Sequence, residues 1–234
     1  MGELRPVQLI AIAVSCLIVL CGVGYALYTY FDSRRTVTNL LEQVGRALNL
    51  VRAPASATIF EARRNLVGLA AEPVAQGEWL GIPVELTFLP KAGAICEKSV
   101  TGVTLVWPKP VARVGIDRHQ TLGEPNDLIE RHPSLGRAAT SDENGPRWVK
   151  DPWFGPSKVW GRQDELDRVL GPAVRAKLQT FPRELAVVYF HDRVMVMQWY
   201  GLEHVPSIVQ QAFDLGIACL EMLAPRQQVE RARP

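Results

Sequence analysis

This chain of 234 residues is poor in the motifs that announce chemistry. It has no Gly-x-x-x-x-Gly-Lys-Ser/Thr phosphate loop, no His-Glu-x-x-His zinc helix, no Gly-x-Ser-x-Gly elbow and no dinucleotide glycine fingerprint. The commonest phosphate-, zinc- and serine-dependent mechanisms are thereby removed, although enzymes of other kinds are not. Its four cysteines, Cys16, Cys21, Cys96 and Cys219, include no Cys-x-x-Cys pair, so neither a redox couple nor a zinc knuckle is indicated. Neither sign of charge is in excess: 26 basic against 24 acidic residues leave +2, and no basic run is interleaved with aromatics, which argues against a nucleic-acid partner.

What the chain does have is a long apolar run. Val7 to Phe31 carries no charge. At about 1.5 Å per residue such a helix exceeds a hydrocarbon core of about 30 Å, so the run reads as a membrane-spanning helix. A cleaved signal peptide would be shorter and end at a small-residue site, whereas this run continues through Tyr25-Ala26-Leu27-Tyr28-Thr29-Tyr30. Ala13-Val14-Ser15-Cys16 resembles a lipid-attachment box, but Leu17 to Tyr30 follows where a polar tether is expected. Pro6 stands where N-myristoylation wants Ser or Thr. Tyr25, Tyr28, Tyr30 and Phe31 gather at one end, as rings do at headgroup level, and Arg34, Arg35, Arg46 and Arg52 follow them against Arg5 and the amino terminus on the other side. This asymmetry predicts a single-pass protein of a bacterial inner membrane with its domain in the cytoplasm. Ala11, Ser15, Gly22 and Ala26 form two pairs of small residues four apart, a candidate docking face for another transmembrane helix or a second copy of the chain.

The remainder, about 200 residues, is long enough for a generous core. Val37, Leu41, Val44, Leu48 and Val51 recur in steps of four and three, which predicts a stalk helix from Ser33 to Val51, ended by Ala53-Pro54 and packed on its own domain. A second helix is expected over Thr58 to Ala71. Ile82, Val84, Leu86 and Phe88 alternate as in a half-buried strand. Ser99 to Trp107 and Val111 to Ile116 read as further strands around Pro108-Lys109-Pro110. His119 to Lys150 is rich in turn formers and reads as a long loop. Helices are expected over Gln163 to Leu170 and Ala173 to Leu178. Leu185 to Phe190 and Val194 to Trp199 then form the clearest hairpin, turning at His191-Asp192-Arg193. Ser207 to Leu223 reads as a closing helix stopped by Pro225, followed by a polar tail. The fold class is α+β: transmembrane and stalk helices, then an antiparallel-sheet domain closed by a C-terminal helix. The boundaries are a tail over 1–6, the membrane helix over 7–31, juxtamembrane helices over 32–75, the α+β domain over 76–224 and the tail over 225–234.

Several of these pieces carry a resemblance. Gly77-Glu78-Trp79-Leu80-Gly81-Ile82-Pro83-Val84, Asp151-Pro152-Trp153-Phe154, Leu170-Gly171-Pro172-Ala173-Val174-Arg175, the Leu185 to Trp199 hairpin and the terminal helix resemble a class of bacterial single-pass membrane-anchored proteins with an α+β domain of unknown function. That class usually has an Asp-Gly-like turn where this chain has His191-Asp192. The resemblance implies a fold over residues 77–223 and no activity.

Two groups of side chains remain as candidate sites. Trp148, Trp153, Phe154 and Trp160 crowd a short stretch and read as packing, as a surface for a protein or lipid partner, or, with Lys150, Lys158 and Arg162 interleaved, as a stacking platform for carbohydrate or nucleic acid that no basic run supports. His119 and His132 bracket Asp127 in the long loop, a donor set a divalent metal would accept at a spacing that matches no recognised site. His191 and His204 read as an exposed turn residue and a partner of Glu203. No cofactor and no catalytic residue is assigned. The sequence therefore points to an accessory, assembly or scaffolding protein acting by protein binding beside a membrane complex, in contact with the lipid bilayer and not with nucleic acid. The alternatives are a membrane-tethered enzyme or metal-dependent sensor using the His119 to His132 loop, and a peptide- or lipid-binding module at the membrane surface.

Overall fold

The computed structural model describes residues 6–54, 74–89, 99–117, 147–150 and 158–224. Helix α1 runs unbroken from Pro6 to Ala47, joining the apolar run and the stalk into one element of 42 residues. It ends earlier than the stripe predicts. Asn49 adopts a positive φ of 58°, the left-handed conformation common just past a helix end, and Leu50 N–H bonds back to the Gly45 carbonyl at 2.8 Å. Val51 then leaves the stripe and begins β1 (Val51–Ala53), where it is exposed.

Nine described strands form one antiparallel sheet in the order β1-β2-β3-β4-β9-β8-β5-β7-β6. β2 (Val74–Trp79) and β3 (Ile82–Leu89) make a tight hairpin. Its two central residues, Leu80 and Gly81, both have positive φ, as a type I′ turn requires. β4 (Val100–Val106) joins β3 to β9 (Val194–Tyr200), which pairs with β8 (Leu185–Asp192). β5 (Ala112–Asp117) crosses over to the far side of β8, followed by β7 (Lys158–Gly161) and β6 (Arg147–Lys150) at the edge. Residues 147–150, expected to close a loop, are thus a strand. His191 belongs to β8, opposite Val194, so the reversal takes Asp192 and Arg193 only, and Asp192 extends β8 through its pairing with Ala112 of β5. The bulge between Leu185 and Val187 absorbs the irregular register.

The helices cover one face. α4 (Pro206–Leu223) lies over β4 and β9: a Cβ placed on Gly216 would meet Leu105 Cδ1 at 2.7 Å and Met197 Cε at 3.2 Å. α2 (Gln163–Val169) and α3 (Pro172–Gln179) extend this layer, burying Leu166, Val169, Val174 and Leu178. The stalk part of α1 belongs to the same core: Val37, Leu41, Val44 and Leu48 are buried together with Ile82, Val84, Leu86 and Phe88. The alternation read from β3 is present, but its other face is not solvent: Glu85 and Thr87 are buried too. The expected helix over 58–71 and the polar tail lie outside the described residues.

Candidate functional site

The most distinctive surface is the N-terminal half of α1. Leu17, Ile18, Val19 and Leu20 are successive residues, about 100° apart around the axis, and are 61–68% exposed. The helix is therefore apolar all round, a pattern stable only when buried in a core or in lipid. Tyr25, Tyr28 and Phe31 are likewise exposed at its lower end. Ser15 is exposed, and an added Cβ at Gly22 would meet nothing within 4 Å, so the docking face is sterically open there. Ala11 and Ala26 occupy the same helix, their side chains outside the description. Among the described residues no helix is long and apolar enough to cross a membrane. The unbroken stretch of described side chains in this half runs only from Val14 to Tyr25, about 18 Å of helix, so assignment of the full run to a membrane rests on the sequence.

Where that helix enters the domain, its charges are paired. Glu42 bonds Arg52 across to β1 at 2.5 Å and Arg46 one turn on at 3.3 Å. Arg34 and Arg35 lie between Phe31 and the buried stripe.

Of the tryptophan cluster, Trp148 and Trp160 lie among the described residues. Trp148 on β6 and Trp160 on β7 are register partners directly opposite one another at the sheet edge. Trp153 and Phe154 lie outside the described residues, as do His119, Asp127 and His132. Among the described residues no group of three or more His, Cys, Asp or Glu side chains is placed to hold a metal ion.

Three polar arrangements escape sequence reading. On the sheet face turned away from α4, register aligns Gln76, Glu85 and Thr104 across β2, β3 and β4. Gln76 Nε2 donates to Glu85 Oε2 at 3.0 Å, while the buried Thr104 hydroxyl has no partner among the described residues. Local alternation reports Glu85 as solvent-facing, since burial of a second face comes from distant chain. At the other end of the sheet, Glu203 is buried and governs the entry to α4. Its Oε1 accepts from Val205 N–H at 3.1 Å, its Oε2 accepts from Arg183 Nε at 2.9 Å, and its own N–H donates to Thr101 Oγ1 at 2.8 Å. Burial pushes this carboxyl upward, but the hydrogen bonds from Arg183 and Val205 and the charges of Arg183 and His204 outweigh it and hold Glu203 below the usual carboxylate range. His204, expected as a partner of Glu203, is exposed, and its charge is among those that lower the Glu203 carboxyl. Third, Trp79 Nε1 donates to Asp214 Oδ1 at 2.8 Å while its ring lies 6.0 Å from that of Phe213, fixing α4 to β2. The Cys219 thiol on α4 is pushed up to about 12 by burial, which makes it a packed hydrophobe rather than a nucleophile. These groups hold elements together; none converges on open space.

No protein-family model matches the sequence, and no curated protein matches it. Among solved structures, the chain is similar to the mycobacterial trehalose monomycolate transport factor A, TtfA, with a TM-score of 0.54 and 12% identity over 83% of this chain and 99% of that one. At that identity the likeness is one of fold.

Proposed function

We propose that this protein is a membrane-anchored accessory or assembly factor of a bacterial inner membrane, which acts by binding a membrane-protein partner. The observation that carries the reading is the N-terminal half of α1, whose described side chains from Val14 to Tyr25 are exposed all round among the described residues, continuous with a stalk built into the α+β core. An apolar cylinder of that kind is stable in lipid. Arg34 and Arg35 beside Phe31 favour a cytoplasmic domain. The open face around Ser15 and Gly22 suits a second helix, with Ala11 and Ala26 at matching spacing. The fold neighbour is named as a transport factor, and membrane transport complexes are accordingly the first class of partner to test.

The test is purification of the tagged full-length chain from native membranes in mild detergent, followed by sizing and mass spectrometry. A stoichiometric membrane-protein partner, weakened by Gly22→Leu or Ala26→Leu, is expected. A solitary species, or a partner indifferent to both substitutions, contradicts docking through the membrane helix.

A further inference from the structure

We propose that α1 is a rigid mast that seats the domain on the lipid headgroup layer at a fixed height and rotation. This rests on the membrane reading above and adds a surface to it: the layer of headgroups is a docking partner of the folded domain, not merely the place where the anchor ends.

The helix is continuous through the junction. Only Asp32-Ser33-Arg34-Arg35-Thr36 separate the exposed Phe31 from Val37, the first residue sealed in the domain core, and all five are helical. That interval spans about 9 Å of rise, comparable to the thickness of one headgroup region. It contains no glycine or proline, the residues at which helices bend most readily. Beyond it the mast cannot swivel against the domain, because Val37, Leu41, Val44 and Leu48 are locked over two turns and more into the core under β3. Gly45 packs so closely on Ala75 that an added Cβ would stand only 3.1 Å from the Ala75 Cβ, and one on Gly77 would stand 2.8 Å from Leu50 Cδ2. Glu42 ties the same segment to Arg52 of β1. A flexible tether would let the domain sample a hemisphere of reach. This junction permits a single pose, with Arg34 and Arg35 at the depth of anionic headgroups, whose charge complements theirs.

The experiment uses the full chain in liposomes containing anionic lipid, with Cys16, Cys21 and Cys96 replaced by Ala and a fluorophore on Gln210→Cys, an exposed position of α4. Flotation is scored first. Failure to float overturns the membrane reading itself. In floated protein, time-resolved anisotropy is compared with a variant carrying Gly-Ser-Gly-Ser inserted between Arg35 and Thr36. The mast predicts no nanosecond wobble of the domain in the parent chain and a large one in the variant. Equal wobble in both, or none in either, overturns it while leaving the anchor intact. A second label, at the exposed Asn39, reads height: a headgroup-bound quencher lipid is expected to quench it severalfold less after a seven-residue helical insertion at the same point. Unchanged quenching overturns the seating on headgroups.

Discussion

The indole nitrogen of Trp107, at the end of β4, donates a 2.7 Å hydrogen bond to the carbonyl of Ala224, the residue that closes α4. The Trp107 backbone is held in turn by Arg193 at the β8–β9 reversal: its N–H donates to the Arg193 carbonyl at 2.6 Å and its carbonyl accepts from Arg193 Nε at 3.0 Å. One residue therefore joins the C-terminus of the closing helix, through its buried side chain, to the central hairpin, through its backbone. Trp107→Phe keeps an aromatic ring but strands the Ala224 carbonyl and leaves a small void; a loss of roughly 2–4 kcal/mol is expected in urea unfolding. A change below about 0.5 kcal/mol contradicts the clasp.

The two halves of α1 differ in what truncation costs. Leu41→Ala removes a fully buried side chain from the core and is expected to destabilise the domain by about 2–5 kcal/mol. Leu20→Ala, in the exposed half, is expected to leave the same domain transition within about 0.5 kcal/mol in detergent. Equal effects would mean that the stalk is not a core element.

Glu203 supplies a pH dependence of known sign. Its carboxyl titrates lower when folded than when unfolded, so its contribution is present above the unfolded value of about 4.3 and disappears as pH falls through the folded one. Between about pH 5 and pH 3 the parent chain should lose more thermal stability than Glu203→Gln, which is expected to be less stable by about 1–3 kcal/mol at neutral pH. Parallel melting curves across that interval would contradict the assignment.

Gly115 on β5 lies against its register partner Tyr189, whose Cε1 stands 2.7 Å from where a Cβ would be. The ring of an extended-strand tyrosine has little freedom to retreat. Gly115→Ala should destabilise by about 1–3 kcal/mol. Combination with Tyr189→Ala should give less than the sum of the single effects; strict additivity would deny the contact.

Legibility in the sequence followed the range of the signal. The β3 alternation, the Leu185 to Trp199 hairpin and the closing helix are set by neighbours in the chain, and each was readable within a residue or two of its ends. β1 was not, because Val51 continues the helical stripe by spacing alone while the left-handed Asn49 interrupts it by conformation. Likewise β6 was hidden: Arg147–Lys150 is short, follows a turn-rich stretch, and is a strand because β7 pairs with it. The buried Glu85 and the bonds of Glu203 to Arg183 and Thr101 depend on contacts across the fold, for which alternation and composition carry no signal. Glu42 and Arg46, four apart in a predicted helix, are legible as a pair, whereas the bond from Arg52 to Glu42 depends on the turn into β1.

The account stands on α1 as a membrane anchor, and alkaline carbonate extraction of membranes from cells making the full-length chain tests that most directly. The protein is expected to stay in the membrane pellet, and a version beginning at Asp32 to appear in the soluble fraction. Release of the full-length chain into the carbonate supernatant would contradict the anchor and with it the proposed function.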